Sequence, residues 1–134
     1  MFPPSIYATD QRPDVVIWSE ATKTLIVFEL TVPSEDNIAD AEFRKKAKYD
    51  ELVHGCRNTN WDVYFQTIEV GCRGFVAFSL RKCLKLLGTS NATIKRAISR
   101  ASKTALRCSY SLYLARNNKH WKRLSLLFDS TCEA

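Results

Sequence analysis

Two apolar runs near the start of the chain, Val15 to Trp18 and Leu25 to Val32, are rich in β-branched and bulky residues. The polar stretch Ser19 to Thr24 separates them, so the pair predicts a β-hairpin over about residues 13–32. Before it, residues 1–11 are expected to be irregular, with a short strand at 5–8. Pro33 stops the second strand, and Ser34, Glu35 and Asp36 supply a capping side chain and first-turn negative charge. They predict a helix from Ser34 to about Arg57, ended by the segment Gly55 to Asn58 or just before it. Val63, Phe65 and Thr67 then alternate with Tyr64, Gln66 and Ile68, which predicts a strand over 61–70. Gly71 to Gly74 reads as a turn, and Phe75 to Leu87 as a helix ended by Gly88. From Thr89 the pattern changes to one long helix. Ile94, Ala97, Ile98, Ala101, Ala105, Cys108 and Leu112 recur at three- and four-residue steps, while Lys95, Arg96, Arg100, Lys103 and Arg107 fall mostly off that stripe. Asn117 and Asn118 are expected to break this helix, and Trp121 with Leu124 to Phe128 to pack back onto the body. Trp18, Trp61 and Trp121 read as core or interface residues.

This order of elements predicts an α/β domain: a mixed sheet with a β-hairpin, a crossover helix and flanking helices. With 134 residues the chain is about one domain, its core at about 12–88 and a basic helical part at 89–134. An apolar fraction of 46% argues against wholesale disorder. No apolar run approaches the ~18 residues of a membrane span, and the N-terminus lacks the blocks of a signal peptide, so a soluble intracellular protein is expected. Five cysteines, at 56, 72, 83, 108 and 132, include no CxxC pair and read as small reduced core residues. His54 and Cys56 lack the second ligand pair a zinc site needs.

Charge is distributed unevenly. Residues 1–88 hold 11 basic and 12 acidic side chains, net −1; residues 89–134 hold 9 basic and 2 acidic, net +7. The asymmetry suits a polyanion such as nucleic acid, and a solvated helix face gives the same composition.

Two charged positions conflict with their apolar surroundings. Glu29 lies in mid-strand and loses its hydration unless a metal, a cation or a hydrogen-bond donor meets it. Lys45 falls in a helical sector with Ile38, Ala41, Tyr49, Leu52 and Cys56. Its charge is either neutralised there, with Glu42 bordering the sector, or carried to solvent on its long stem. By strand parity Glu29 and Thr31 share a face with Leu25 and Val27. A crossover helix covering one face of the hairpin brings the next strand in parallel and lets Asp14, Glu29 and Lys45 converge. Two carboxylates and a lysine around a water are the parts of metal-assisted phosphodiester hydrolysis. Glu35 reads as helix-start charge, and Arg73, between two glycines, as an exposed turn arginine within reach of a phosphate.

Asp14, then Glu29-Leu30-Thr31 on the next strand, then a helix carrying Lys45 to Tyr49, resembles the PD-(D/E)XK restriction-like nuclease superfamily. More narrowly, Arg12-Pro13-Asp14 with fourteen residues before Glu29 is similar to the RPD…E signature of the restriction-like endonuclease in early-branching non-LTR retrotransposons. The stretches Val27 to Glu35 and Glu69 to Phe75 are similar to reverse-transcriptase-associated reading frames of animal genomes. The resemblance covers about residues 12–78. It implies a Mg²⁺- or Mn²⁺-dependent DNA endonuclease leaving 3′-hydroxyl and 5′-phosphate ends. Asp14, Glu29 and the backbone carbonyl of Leu30 would be metal ligands; Asp14, Glu29 and Lys45 would be catalytic. Thr31 and Tyr49 would support them, and Arg12, Lys48, Arg73, Arg96, Arg100, Lys103 and Arg107 would contact nucleic acid. It also implies a nuclear setting within a larger reverse-transcriptase polyprotein, and a homodimer wherever both strands are cut.

Two departures stand against the resemblance. Thr31 occupies the place of the superfamily's lysine, so that role passes to Lys45 on the helix or catalysis is lost. Lys45 with Tyr49 resembles the QxxxY helix motif of RecB-type nucleases, with Lys in place of Gln. Only about a dozen residues precede Asp14, where the superfamily usually has a helix and a strand; a trimmed domain is expected. The rival expectation is a catalytically inactive relative that binds nucleic acid or protein.

Overall fold

The computed structural model describes residues 2–117. The hairpin consists of β1 (Val15–Ser19) and β2 (Thr24–Thr31), which pair antiparallel with Val15 opposite Phe28 and Ser19 opposite Thr24. A short 3₁₀ turn, Glu35–Asn37, leads into α1 (Ile38–Asn58), and α1 returns the chain to β3 (Asp62–Glu69). β3 lies parallel to β2, with Glu29 beside Thr67 and Thr31 beside Glu69, giving the sheet order β1-β2-β3. Helices α2 (Phe78–Leu86) and α3 (Asn91–Ala115) follow. The expected mixed α/β layout, crossover helix and long basic helix are all present.

One face of the sheet makes the core. Leu25, Val27 and Val63 meet Tyr49, Leu52, Val53 and Cys56 of α1, and Phe2, Ile6 and Trp61 close the cluster. Burying each of the larger side chains contributes on the order of 1.5–3 kcal/mol, which fixes α1 across the strands. The parity that sends Leu25 and Val27 into this core also sends Glu29 the same way, at the end of the sheet where α1 begins. The other face is more open. There Leu30 and Val32 meet the Ala105 and Cys108 side of α3 across an apolar groove of about 600 Å³.

Several boundaries differ from expectation. Residues 5–8 form no strand: the Ile6 and Tyr7 amides donate to the Pro3 carbonyl in a turn that seats Ile6 in the core. Ser34 does not cap α1; its hydroxyl accepts from the Asn37 side-chain amide. Helix α2 starts at Phe78 rather than Phe75, because residues 70–77 are used to turn the chain. Val76 bridges Val70 antiparallel, Gly71 donates to the Phe75 carbonyl, and Ala77 donates to the Glu69 carbonyl. Gly74 sits there at φ 96°, where a side chain would be strained. In α3 the Ser90 hydroxyl accepts from the Thr93 amide as an N-cap. Ile94 and Ala105 are its buried stripe, while Leu112 is half exposed. Trp61 is a core residue and Trp18 is largely exposed on β1. Asn118, Trp121, the Leu124 to Phe128 segment and Cys132 lie outside the described residues. Among the described residues no helix is long and apolar enough to cross a membrane.

Candidate active site

The antiparallel register continues one step beyond Val15 and Phe28, so Asp14 comes to lie opposite Glu29. The two acids lock each other through the backbone. The Asp14 amide donates to Glu29 Oε2 at 3.2 Å, and the Leu30 amide donates to Asp14 Oδ2 at 2.8 Å. Glu29 is only 3% exposed, so a carboxylate here requires compensation. Lys45 supplies it from α1, donating from Nζ to Glu29 Oε1 at 2.5 Å. The lysine side chain keeps 29% of its surface open, so the pair joins the core to solvent. Glu42 does not neutralise Lys45; it pairs with Lys46 one turn on.

One turn further along α1, Tyr49 is wholly buried. Its hydroxyl donates to the Arg12 carbonyl at 3.3 Å and accepts from Lys48 Nζ at 3.1 Å. Burial, first of all, raises the Tyr49 pKa, and the nearby Glu29 charge adds to it, so the phenol remains a neutral donor. The Lys48 pKa is also raised, chiefly by the Tyr49 hydroxyl and further by the charges of Glu29 and Asp14. Lys48 is thus a second ammonium beside the acid pair. Gln11 Nε2 donates to the Lys48 carbonyl, tying the segment before Asp14 to the helix at a second point.

Behind these groups lie two polar side chains that the hydrophobic pattern of the sequence does not mark as buried. Thr67, beside Glu29, and Glu69, beside Thr31, are buried on β3; Thr67 Oγ1 and Glu69 Oε1 have no hydrogen-bond partner among the described residues. Their parity with Val63 and Phe65 was the available signal. Thr31 is half-buried at the lysine position of the motif and brings no charge to it.

The structure therefore brings together Asp14, Glu29, Lys45, Lys48 and Tyr49, with the backbone of Arg12 and Leu30. The remaining basic positions lie elsewhere. Arg73 pairs with Glu35: its amide and Nε donate to Oε1 and Oε2, each at 2.8 Å. That guanidinium beside Glu35 holds its carboxyl at about 2. Arg96, Arg100, Lys103 and Arg107 are on α3. Cys56 and Cys83 are buried, and burial pushes both thiols up to about 11, so they behave as core residues. His54 and Cys56 form no ligand cluster.

Whether the site suits a divalent ion turns on its donors. Among the described residues no group of three His, Cys, Asp or Glu side chains gathers around one point. Asp14 and Glu29 are nonetheless two hard oxygen donors side by side. Each carboxylate oxygen retains a lone pair beyond the bond it accepts. A Mg²⁺ ion ordinarily takes one or two carboxylates and completes its octahedron with waters and substrate phosphate. The residues fit such an ion.

No protein-family model matches the chain, and no curated protein matches it at a significant level. Among solved structures it is similar to a Toscana virus cap-snatching endonuclease, with 18% identity and a TM-score of 0.48. That similarity covers 81% of this chain and 54% of the viral one, so the chain spans about half the length of its neighbour.

Proposed function

We propose that the protein is a metal-dependent endonuclease hydrolysing phosphodiester bonds in DNA, of the restriction-like type. The observation that carries this reading is the contact of Lys45 with Glu29, beside Asp14, at the mouth of an otherwise apolar core. The buried carboxylate of Glu29 stands where stability alone would favour an apolar side chain of similar volume, with the half-buried Lys45 and the exposed Asp14 meeting it from the solvent side.

Asp14 and Glu29, with the Leu30 carbonyl, would hold Mg²⁺ or Mn²⁺, which when bound lowers the pKa of water and polarises the phosphate. Lys45 orients the attacking water and meets the negative charge that develops on the phosphorane-like oxygens. Its ammonium stands in for the one Thr31 cannot provide. Lys48 contacts the neighbouring phosphate, and Tyr49 fixes the Arg12 carbonyl so that Asp14 holds its position. Helix α3 tracks the backbone through Arg96, Lys103 and Arg107, a contact that reads no sequence. The narrower family reading, a retrotransposon endonuclease acting in the nucleus, rests on the Arg12-Pro13-Asp14 signature and its spacing to Glu29.

Incubation of supercoiled plasmid with Mg²⁺ or Mn²⁺ tests the proposal. Metal-dependent nicking is expected, falling at least about a hundredfold in Glu29→Ala and in Lys45→Ala. A wild-type protein inert in both metals, yet able to retard DNA on a gel, would instead be a binding module that lost catalysis with the Thr31 departure.

A further inference from the structure

From Val70 to Phe128 the sequence contains no aspartate or glutamate. Within the described part of that stretch, residues 70–117, stand ten lysines and arginines. An open groove of about 400 Å³ runs through this region, between the turn after β3 and the flank of α3. Phe75, Arg81, Lys95, Ile98, Ser99 and Ser102 line it. One aromatic ring, Phe75, lines it, and a second, Phe78, stands exposed three residues on at the start of α2. Phe75 is 58% exposed, and Phe78, one helical turn before Arg81, is 63% exposed. Lys82 Nζ lies 5.7 Å from the centre of the Phe78 ring, so a cation also stands over that platform. Among the described residues, the acid whose side chain meets Arg73 in this turn, Glu35, is already committed to it, and Glu69, which the turn contacts through its backbone, is buried.

A protein partner would find little to pair with these cations unless it were acidic, and a lipid surface would meet a concave wall. Rigid duplex DNA hides the faces of its bases. The combination of a cationic groove, hydroxyls and exposed flat rings fits an unpaired strand, whose phosphates follow the charge while its bases lie on the rings. We infer that this groove, extended by the exposed ring of Phe78 at the start of α2, is a binding subsite for single-stranded nucleic acid, with bases stacked on Phe75 and Phe78 and phosphates held by Arg81 and Lys95. Ser99 and Ser102 hydrogen-bond the same backbone. This deepens the nuclease reading, since it names the form of polyanion the protein grips. The groove follows β3 and Glu29 lies near the end of the adjacent β2, so both sit towards the end of the sheet where these strands finish. Gly74 belongs to the device: a Cβ there would meet the Ser102 carbonyl and hydroxyl at 3.1 Å and push the groove wall outward.

Fluorescence anisotropy with labelled single-stranded DNA, single-stranded RNA and duplex DNA, run in chelator so that nothing is cut, tests the inference. The wild-type protein should bind an unpaired strand more tightly than the duplex. Phe75→Ala and Phe78→Ala should each weaken that binding about fivefold or more. Phe75→Leu, which keeps apolar bulk without a flat ring, should weaken it too. Replacing Arg81 and Lys95 together with alanine should flatten the dependence of log affinity on log salt by about 1.4. Phe75, Arg81 and Lys95 line the groove and Phe78 is exposed at the start of α2, so none of the four is a core residue, and circular dichroism checks that each variant folds. Equal affinity for duplex and single strand, full affinity in Phe75→Leu, or self-association through the patch in place of nucleic-acid binding would overturn it. Cleavage plays no part in this measurement: nicking without single-strand preference would sink the subsite alone, and single-strand binding without nicking would sink the nuclease alone.

Discussion

At the scale of single residues the structure turns on a buried carboxylate and the ammonium that reaches it. Glu29 tolerates burial because Lys45 and the Asp14 amide occupy its two oxygens. Removing the lysine leaves the carboxylate unpaired in the core, so Lys45→Met should lower stability by about 1–3 kcal/mol in urea denaturation. An unchanged midpoint would mean that the pair is held only loosely. The conflict was legible in the sequence, since an acid within Leu25 to Val32 and a lysine within the Ala41–Tyr49–Leu52 sector both lack an obvious partner. Which acid Lys45 chooses was not legible. Glu42 is nearer along the helix, but it lies on the flank that Lys46 shares, while only the packing of α1 on β2 brings Glu29 within reach. The cysteines carry a second prediction at this scale. With the Cys56 and Cys83 thiols pushed up to about 11 and shielded, both should resist a maleimide reagent at pH 8 in the native protein, whereas half-buried Cys72 should label. Mass spectrometry of the labelled peptides reads the result directly.

At the scale of elements, the joint between the start of α1 and the turn after β3 holds the sheet's working end together. Glu35 clamps Arg73 through its amide and guanidinium, and the Cys72 amide donates to the Pro33 carbonyl beside it. The Glu35 carboxyl is held at about 2 against an ordinary value of 4.5. Its contribution to stability is therefore complete above pH 4.5 and is lost as pH falls towards 2. The stability difference between wild type and Glu35→Gln should be flat above about pH 5 and shrink across that acid window. A difference that persists unchanged at pH 2 would show that charge is not what the clamp uses. Gly71 leaves room for the clamp, because a Cβ there would run into the Glu35 carboxylate and displace it from Arg73. Sequence periodicity located β1 to β3 and α1 to α3, but it also expected a strand at 5–8 that does not form and misjudged the starts of α1 and α2. Phe75 to Ala77 continue the apolar pattern of the helix, yet their backbone groups are consumed by Val70, Gly71 and Glu69. Such hydrogen bonds link residues through a turn and leave no trace in hydrophobic spacing.

At the scale of the whole molecule, the end of the sheet where β2 finishes carries an acid pair with Lys45 and Lys48, and the chain that follows β3 is basic and free of acids from Val70 to Phe128. The sequence made the charge asymmetry plain, because it is a count. It gave no notice of the groove, since exposed phenylalanines look like core residues until the fold shows them facing outward. If Asp14 and Glu29 hold a divalent ion as a pair, Mn²⁺ should raise the melting temperature of the wild-type protein and leave that of Asp14→Asn unmoved. A rise of equal size in both would place the ion elsewhere. The central claim is that Asp14, Glu29 and Lys45 hydrolyse phosphodiesters, and the most direct test is the cleavage of supercoiled plasmid and of a single-stranded circle in Mg²⁺ and Mn²⁺. Cleavage is expected to stop in chelator, in Glu29→Ala and in Lys45→Ala, with the folded content of both variants retained. Cleavage that survives Lys45→Ala, or a wild-type protein that binds these substrates and never cuts them, would contradict it.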